Sequence, residues 1–203
     1  NVVDLLLHEQ NEFEPVGVLD PQAKGSILGV PILGNDELFP KLKDQGISYA
    51  FPAIGFGEGV NNHLRFKIYK KLKDFGFQIP NLISSKAFVR SGAKMGDGIC
   101  IQAGSVIDTE VQLGSNIAVG FNVLIGHRCV IADHTTFSGG VILNGGIKAG
   151  EGTFLGMGCI LYKNIGAWCK VSPGTVCLED VPDAKIVFGT PARFVDNLQL
   201  KLP

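Results

Sequence analysis

From Ile83 onward every sixth residue is apolar: Ile83, Val89, Met95, Ile101, Ile107, Leu113, Val119, Ile125, Ile131, Phe137, Leu143, Ala149, Leu155 and Leu161. The register then shifts and resumes at Ile165, Val171 and Cys177. No helix repeats every six residues, and a hairpin sheet does not hold such a period for so long. The pattern is that of a parallel β-helix. Each hexad supplies a short strand and a turn, and three hexads close one triangular coil. Residues 18 apart therefore stack on neighbouring coils, about 4.8 Å apart. The residue four places after each apolar one is small or β-branched, as at Ala87, Ser105, Val111, Cys129, Thr135, Thr153 and Cys159, and fits beside it in the interior. Glycine often follows the apolar residue, as at Gly96, Gly114, Gly120, Gly126, Gly150 and Gly156, where the chain enters its turn.

Composition narrows the field around this repeat. The five cysteines are an odd number, without CxxC or Cys/His ligand spacing, so neither a disulfide framework nor a zinc site is expected. Cys129, Cys159 and Cys169 fall at the small inward position and read as core packing. A reducing, cytoplasmic compartment follows. The formal net charge is −1, with no Lys/Arg block, so neither nucleic acid nor an anionic membrane surface is an expected partner. The longest apolar runs fall short of the ~18 residues that a membrane-spanning helix needs. The chain opens on NVVDLLLHEQ, which has no initiator Met, no basic leader and no cleavage site, and reads as starting inside a helix.

Residues 1 to about 80 follow a different rhythm. Residues 1–10 read as an amphipathic helix and 14–20 as a short strand ending in Asp20. Residues 35–45 have an Asn N-cap and a closing Gly46 and read as a helix. Residues 48–54 read as a second strand running into the glycine-rich GFGEG, and 61–75 as a basic amphipathic helix ended by Gly76. Strands alternating with helices predict a small parallel βαβ, Rossmann-like unit. The expected division is an α/β domain over 1–80, a mainly β parallel β-helix over 81–182, and a tail over 183–203.

A β-helix by itself implies no activity, so chemistry is sought among outward residues that break the pattern. Two of the four histidines lie on the coils. His127 is third in its hexad, at a turn, with Thr109 one coil below and Gly145 one coil above. Arg128 stacks on Glu110 below and Gly146 above. An imidazole takes a proton near neutral pH, and here it borders bare backbone at Gly145 and Gly146, whose amides can meet a thioester carbonyl as charge develops on oxygen. An exposed turn histidine is the plain alternative. His134 stacks between Asn116 and Gly152; it either orders a cofactor or acceptor or is a solvated turn residue.

The uninterrupted hexads, the segment IGHRCVIADH and the closing FGTPAR resemble the hexapeptide-repeat acyltransferases. The runs PVGVLDP, GSILGVPILG and AIG followed by NNHLRFKIYKKL resemble the subgroup of sialic acid O-acetyltransferases and nucleotide-linked amino-sugar N-acetyltransferases. The resemblance implies a left-handed β-helix and acetyl-CoA as co-substrate, with no metal. It implies a homotrimer with its sites between subunits, acting in cell-surface polysaccharide biosynthesis. It places the general base at His127 and the carbonyl-binding amide at Gly145. Gly146, Met157, Lys163, Pro191 and Arg193 become acetyl-CoA contacts, and Asp20, Gly55, Arg65 and His134 become substrate contacts. The implied acceptor is the amine of a nucleotide-linked sugar, such as a UDP-4-amino-4,6-dideoxy sugar; a sialic-acid-type hydroxyl is the alternative.

The sequence departs from the subgroup at three points. Arg128 stands where an acidic residue usually follows the histidine, and Glu110 and Thr109, one coil below, are the groups placed to compensate. The strand and glycine-rich phosphate loop that open relatives would precede residue 1. GFGEGV is longer than the link relatives carry. Outside the subgroup, a γ-type carbonic anhydrase needs three histidines on zinc, and the coils supply two. A non-catalytic, trimeric nucleotide-sugar-binding protein is the other competing reading.

Overall fold

A computed structural model of the chain describes residues 2–10, 12–54 and 62–195. The hexads form two-residue strands on three parallel sheets that close a β-helix. The first face stacks Leu82–Ile83, Cys100–Ile101, Ala118–Val119, Thr136–Phe137, Phe154–Leu155, Lys170–Val171 and Ile186–Phe188. The second stacks Phe88–Val89, Val106–Ile107, Leu124–Ile125, Ile142–Leu143, Ile160–Leu161 and Val176–Cys177. The third stacks Lys94–Met95, Gln112–Leu113, Val130–Ile131 and Lys148–Ala149, and single bridges at Ile165 and Val181 continue it. Partners lie 18 residues apart, as in Ala118 with Thr136 and Leu124 with Ile142. The step then shortens to 16, pairing Phe154 with Lys170 and Ile160 with Val176, where the sequence period shifts. The first sheet also continues past residue 182, through Ile186–Phe188 to an antiparallel partner at Arg193–Phe194.

Hydrogen bonds run in both directions along the axis. Strand amides donate toward the following coil, as Cys100 N does to Ile117 O (2.9 Å). Corner amides donate toward the preceding one, as Arg128 N does to Thr109 O (2.9 Å). The second residue of each strand points inward, so Ile101, Ile107, Val119, Ile125, Phe137, Leu155 and Leu161 are fully buried in one continuous stack. Each such side chain contributes about 1.5–3 kcal/mol on burial. All five cysteines are buried free thiols. Burial pushes the Cys177 thiol up to about 11, and such thiols are inert as nucleophiles.

The small domain differs from the expected βαβ unit. It contains α1 (Val2–His8), β1 (Val18–Leu19), β2 (Ser26–Ile27), β3 (Val30–Gly34), α2 (Phe39–Asp44) and α3 (Asn62–Asp74). β1 pairs with β3 in parallel, but β2 and β3 form an antiparallel hairpin, giving the order β1-β3-β2. The cause is a two-residue turn, Leu28-Gly29, in which both residues have positive φ (51° and 85°). That geometry matches the natural twist of a hairpin and reverses the chain at once. The strand expected over 48–54 reduces to one parallel bridge between Tyr49 and Gln78. The helix expected over 35–45 begins as a 3-10 turn capped by Asn35, whose side chain accepts from Glu37 N at 3.1 Å, before α2 proper.

Because the inward stack is continuous, truncating one member leaves a void that neighbouring coils, tied at fixed spacing, do not close. Ile125→Ala is expected to cost about 2–5 kcal/mol, read as a lower denaturant midpoint at unchanged slope. A loss under about 1 kcal/mol would mean that the coils relax.

Candidate active site

Ile125 and Ile131, both anchored in the interior, fix the corner between the second and third faces. His127 sits on that corner and is exposed. Its imidazole lies against the backbone of Gly145 on the following coil. A Cβ built on Gly145 would fall on Nε2 and Cε1 of the ring and come within 2.9 Å of Cδ2. Any side chain at 145 would displace the ring, so glycine is required there for close approach. The Gly145 amide makes no hydrogen bond among the described residues, whereas the Gly146 amide donates to His127 O at 2.8 Å. The structure thus brings His127 and Gly145 together and commits Gly146 to holding the corner.

The surrounding charges differ from those expected. Arg128 Nε donates to His127 Nδ1 at 3.3 Å. Glu110 forms no ion pair with Arg128 among the described residues. The Thr109 hydroxyl turns to Asp108 Oδ1 at 3.3 Å rather than to the ring. Asp108 is the carboxylate that feels His127. The Thr109 amide at 2.7 Å holds it below the usual carboxylate range, with Arg90, 3.1 Å away, and His127 adding to that.

His134 is buried rather than solvated, because α3 lies along its corner. Its ring meets the rings of Phe66 and Tyr69 edge-on at 4.8 and 5.5 Å, and its Nδ1 lies 2.8 Å from Asn116 Nδ2. Arg65 is buried too, and its Nη2 donates to His134 O (2.8 Å) and Thr135 O (3.0 Å). Asn62 bridges Gly152 O and the Thr136 hydroxyl (2.9 and 2.8 Å), and His63 stacks on Trp168 at 4.7 Å. Arg65 and His134 therefore join the small domain to the coils. Asn62, His63 and Trp168 complete that seam, and sequence reasoning missed all three.

The other sequence-derived candidates are spread across the surface. Asp20 borders an open cleft of about 320 Å³ beside Lys24, Leu33 and Asn35. Its carboxylate accepts from Gln22 N and Ala23 N (2.8 and 3.0 Å), and these bonds keep it ionised below its ordinary range. Gly55 lies outside the described residues. Met157, 65% exposed, stands on the corner between the first and second faces, across the second face from His127. Lys163 is exposed in the shortened corner that follows Gly145, and Pro191 and Arg193 are exposed at the end of the first sheet. Among the described residues no cluster of His, Cys, Asp or Glu is arranged to hold a metal ion.

No family model and no curated protein matches the chain. Solved structures do. A histidine-to-asparagine variant of perosamine N-acetyltransferase from Caulobacter crescentus, in complex with CoA and GDP-perosamine, is 31% identical. The match covers 89% of this chain and 85% of that one, with a TM-score of 0.84. The acetyltransferase domain of PglB from Neisseria gonorrhoeae, in complex with acetyl coenzyme A, is 26% identical over 96% and 93% of the two chains, also at 0.84. WeeI from Acinetobacter baumannii, 21% identical over 96% and 93%, shares the fold at 0.79.

His134 generates a pH dependence. Burial, joined by the nearby Arg65 charge, lowers its pKa below the ordinary 6.5. The folded state therefore favours the neutral ring. Its contribution is intact above pH 6.5 and is lost as pH falls through the lowered value, because the unfolded chain binds the proton first. Denaturation midpoints measured across this range are expected to fall more steeply for the native chain than for His134→Asn. Asn116 already occupies the equivalent left-handed position one coil below (φ 54°). Equal slopes would contradict the assignment.

Proposed function

We infer the activity from one premise: the chain belongs to the hexapeptide-repeat family of acetyl-CoA-dependent N-acetyltransferases. The reading is transfer of acetyl from acetyl-CoA to the amine of a nucleotide-linked amino sugar, at the corner where His127 meets Gly145. The observation that carries it is the imidazole lying against a glycine whose amide makes no hydrogen bond among the described residues, a base beside a carbonyl-binding donor. His127 Nε2 takes a proton from the acceptor amine as nitrogen attacks the thioester carbon. The carbonyl electron pair moves to oxygen, where the Gly145 amide stabilises it. Collapse re-forms the carbonyl, breaks the C–S bond and releases CoA thiolate, which takes the proton from His127. An amine suits this corner better than a hydroxyl, because its neutral nitrogen attacks without prior deprotonation and its proton becomes easy to remove only as the C–N bond forms. GDP-perosamine bound to the Caulobacter relatives supports a nucleotide-linked amine. The cleft beside Asp20 is the place proposed for the nucleotide.

The proposed assembly is a homotrimer. The outward residues of the second face are all apolar: Phe88, Val106, Leu124, Ile142, Ile160 and Val176. Phe88, Leu124 and Ile142 are exposed, and a contiguous apolar stripe of this kind marks an association surface. The face is bounded by His127 on one corner and Met157 on the other. A neighbouring copy laid against it encloses acetyl-CoA between subunits, with Met157, Lys163, Pro191 and Arg193 as its contacts. This reading assigns the protein to the cytoplasm, in the assembly of surface polysaccharide.

Thiol release from acetyl-CoA in the presence of UDP- or GDP-linked 4-amino sugars tests the chemistry. His127→Ala is expected to lower turnover by about 10²-fold or more with stability unchanged, since the side chain is exposed. Gly145→Ala is expected to do likewise by displacing the ring. Native-like rates in His127→Ala would refute the base. Ile142→Asp is expected to yield monomers by analytical ultracentrifugation, and an unaltered oligomer would remove the second face from the interface.

A further inference from the structure

The bond from Arg128 to His127 bears on which nitrogen of the ring can act. A guanidinium carries only donors and stays protonated. With Arg128 Nε–H directed at Nδ1 across 3.3 Å, Nδ1 is the accepting nitrogen. A neutral imidazole has one donor and one acceptor nitrogen, so its proton then sits on Nε2. Nε2 is also the ring atom nearest the space over Gly145. The site edge therefore presents an N–H where proton abstraction needs a lone pair.

Among the described residues no carboxylate offsets this by a bond to the ring. Asp108 Oδ1 is engaged by the Thr109 amide (2.7 Å) and by Arg90 Nε (3.1 Å). Glu110 lies one coil before Arg128 with no ion pair to it. Asp108, whose charge reaches the ring, makes no hydrogen bond to it, and among the described residues no other carboxylate does, so no acceptor holds a proton on Nδ1.

We propose that Arg128 is a positioning residue that sets the tautomer of His127, holding the proton on Nε2 until the guanidinium leaves Nδ1. The proposal rests on the reading of His127 as the base. When Arg128 withdraws, exchange with solvent moves the proton to Nδ1 and opens the Nε2 lone pair. The acceptor amine then delivers its proton to Nε2 as its C–N bond forms, and that proton passes to the departing thiolate. Arg128 thereby couples competence for proton transfer to its own side-chain position.

The corner accepts a decisive substitution. Arg128 is left-handed (φ 57°), and Glu110 holds the same conformation (φ 59°) at the equivalent place one coil below. Arg128→Glu replaces the donor to Nδ1 with an acceptor, which favours the opposite tautomer. Nitrogen NMR of the ¹⁵N-histidine-labelled protein, above the ordinary histidine range, reads the ring directly; loss of signals in His127→Gln assigns them. Without any substrate, the native ring is expected to be protonated on Nε2. Arg128→Glu should shift it to Nδ1, and Arg128→Met should give a mixture. A native ring protonated on Nδ1, or a pattern unchanged in Arg128→Glu, overturns the proposal whether or not acetyl transfer is found. In turnover, Arg128→Glu is expected to raise kcat about tenfold at unchanged KM for acetyl-CoA, and the gain should vanish when combined with His127→Ala. A higher KM at unchanged kcat would instead make Arg128 a ligand contact and overturn the proposal. Failure of the family chemistry would appear separately, as no turnover in any variant alongside an intact tautomer shift.

Discussion

The axial ladder of backbone hydrogen bonds between coils is the constraint on which the rest depends. A strand of two residues is too short to be stable alone. Here each strand is clamped between equivalents in the neighbouring coils, with strand amides bonding one way along the axis and corner amides the other. Bonding in both directions removes any freedom to slide, and every inward residue then lands on an inward residue 18 positions away. The His127 corner inherits this rigidity. His127 and Gly145 are distant in sequence but fixed in height, and the bond from the Gly146 amide to His127 O is one rung of the same ladder.

The join between the two parts of the chain works by different physics. Arg65 is buried, and burial pulls its guanidinium down to about 10. Its Nη2 partners are carbonyl oxygens, and its Nε has no hydrogen-bond partner among the described residues. A buried cation held by backbone dipoles is a costly fastening, and it works at only one orientation of α3 on the coil. Asn62, with one hydrogen bond to each of two coils, and the His63–Trp168 stack add further directional contacts. The seam is therefore specific in position more than it is strong.

The six-residue period made the coils, their inward residues and the buried cysteines legible, because a residue's phase in the hexad decides which way it points. The same phase placed His127 beside Gly145. Three features escaped it. The hairpin of β2 and β3 depends on Leu28 adopting a left-handed conformation, which a leucine's identity does not announce. His134 reads from its turn position as either a ligand contact or a solvated residue, because that position says nothing about α3 arriving from far earlier in the chain to bury it. The Arg128 contact was visible as adjacency, but whether the guanidinium reached for Glu110 or for the imidazole was decided by side-chain conformation alone.

The change of step from 18 residues to 16 after Leu161 shows that the fold is indexed by whole turns. A coil shortened within a corner keeps its strands in phase, since Ala149, Ile165 and Val181 still align. Loss of a single hexad would instead rotate everything beyond it by one face, and the apolar stripe would be cut into two segments pointing in different directions. Length along the axis can thus vary by entire coils at little structural cost, while the angular position of the His127 corner relative to the stripe tolerates no change at all.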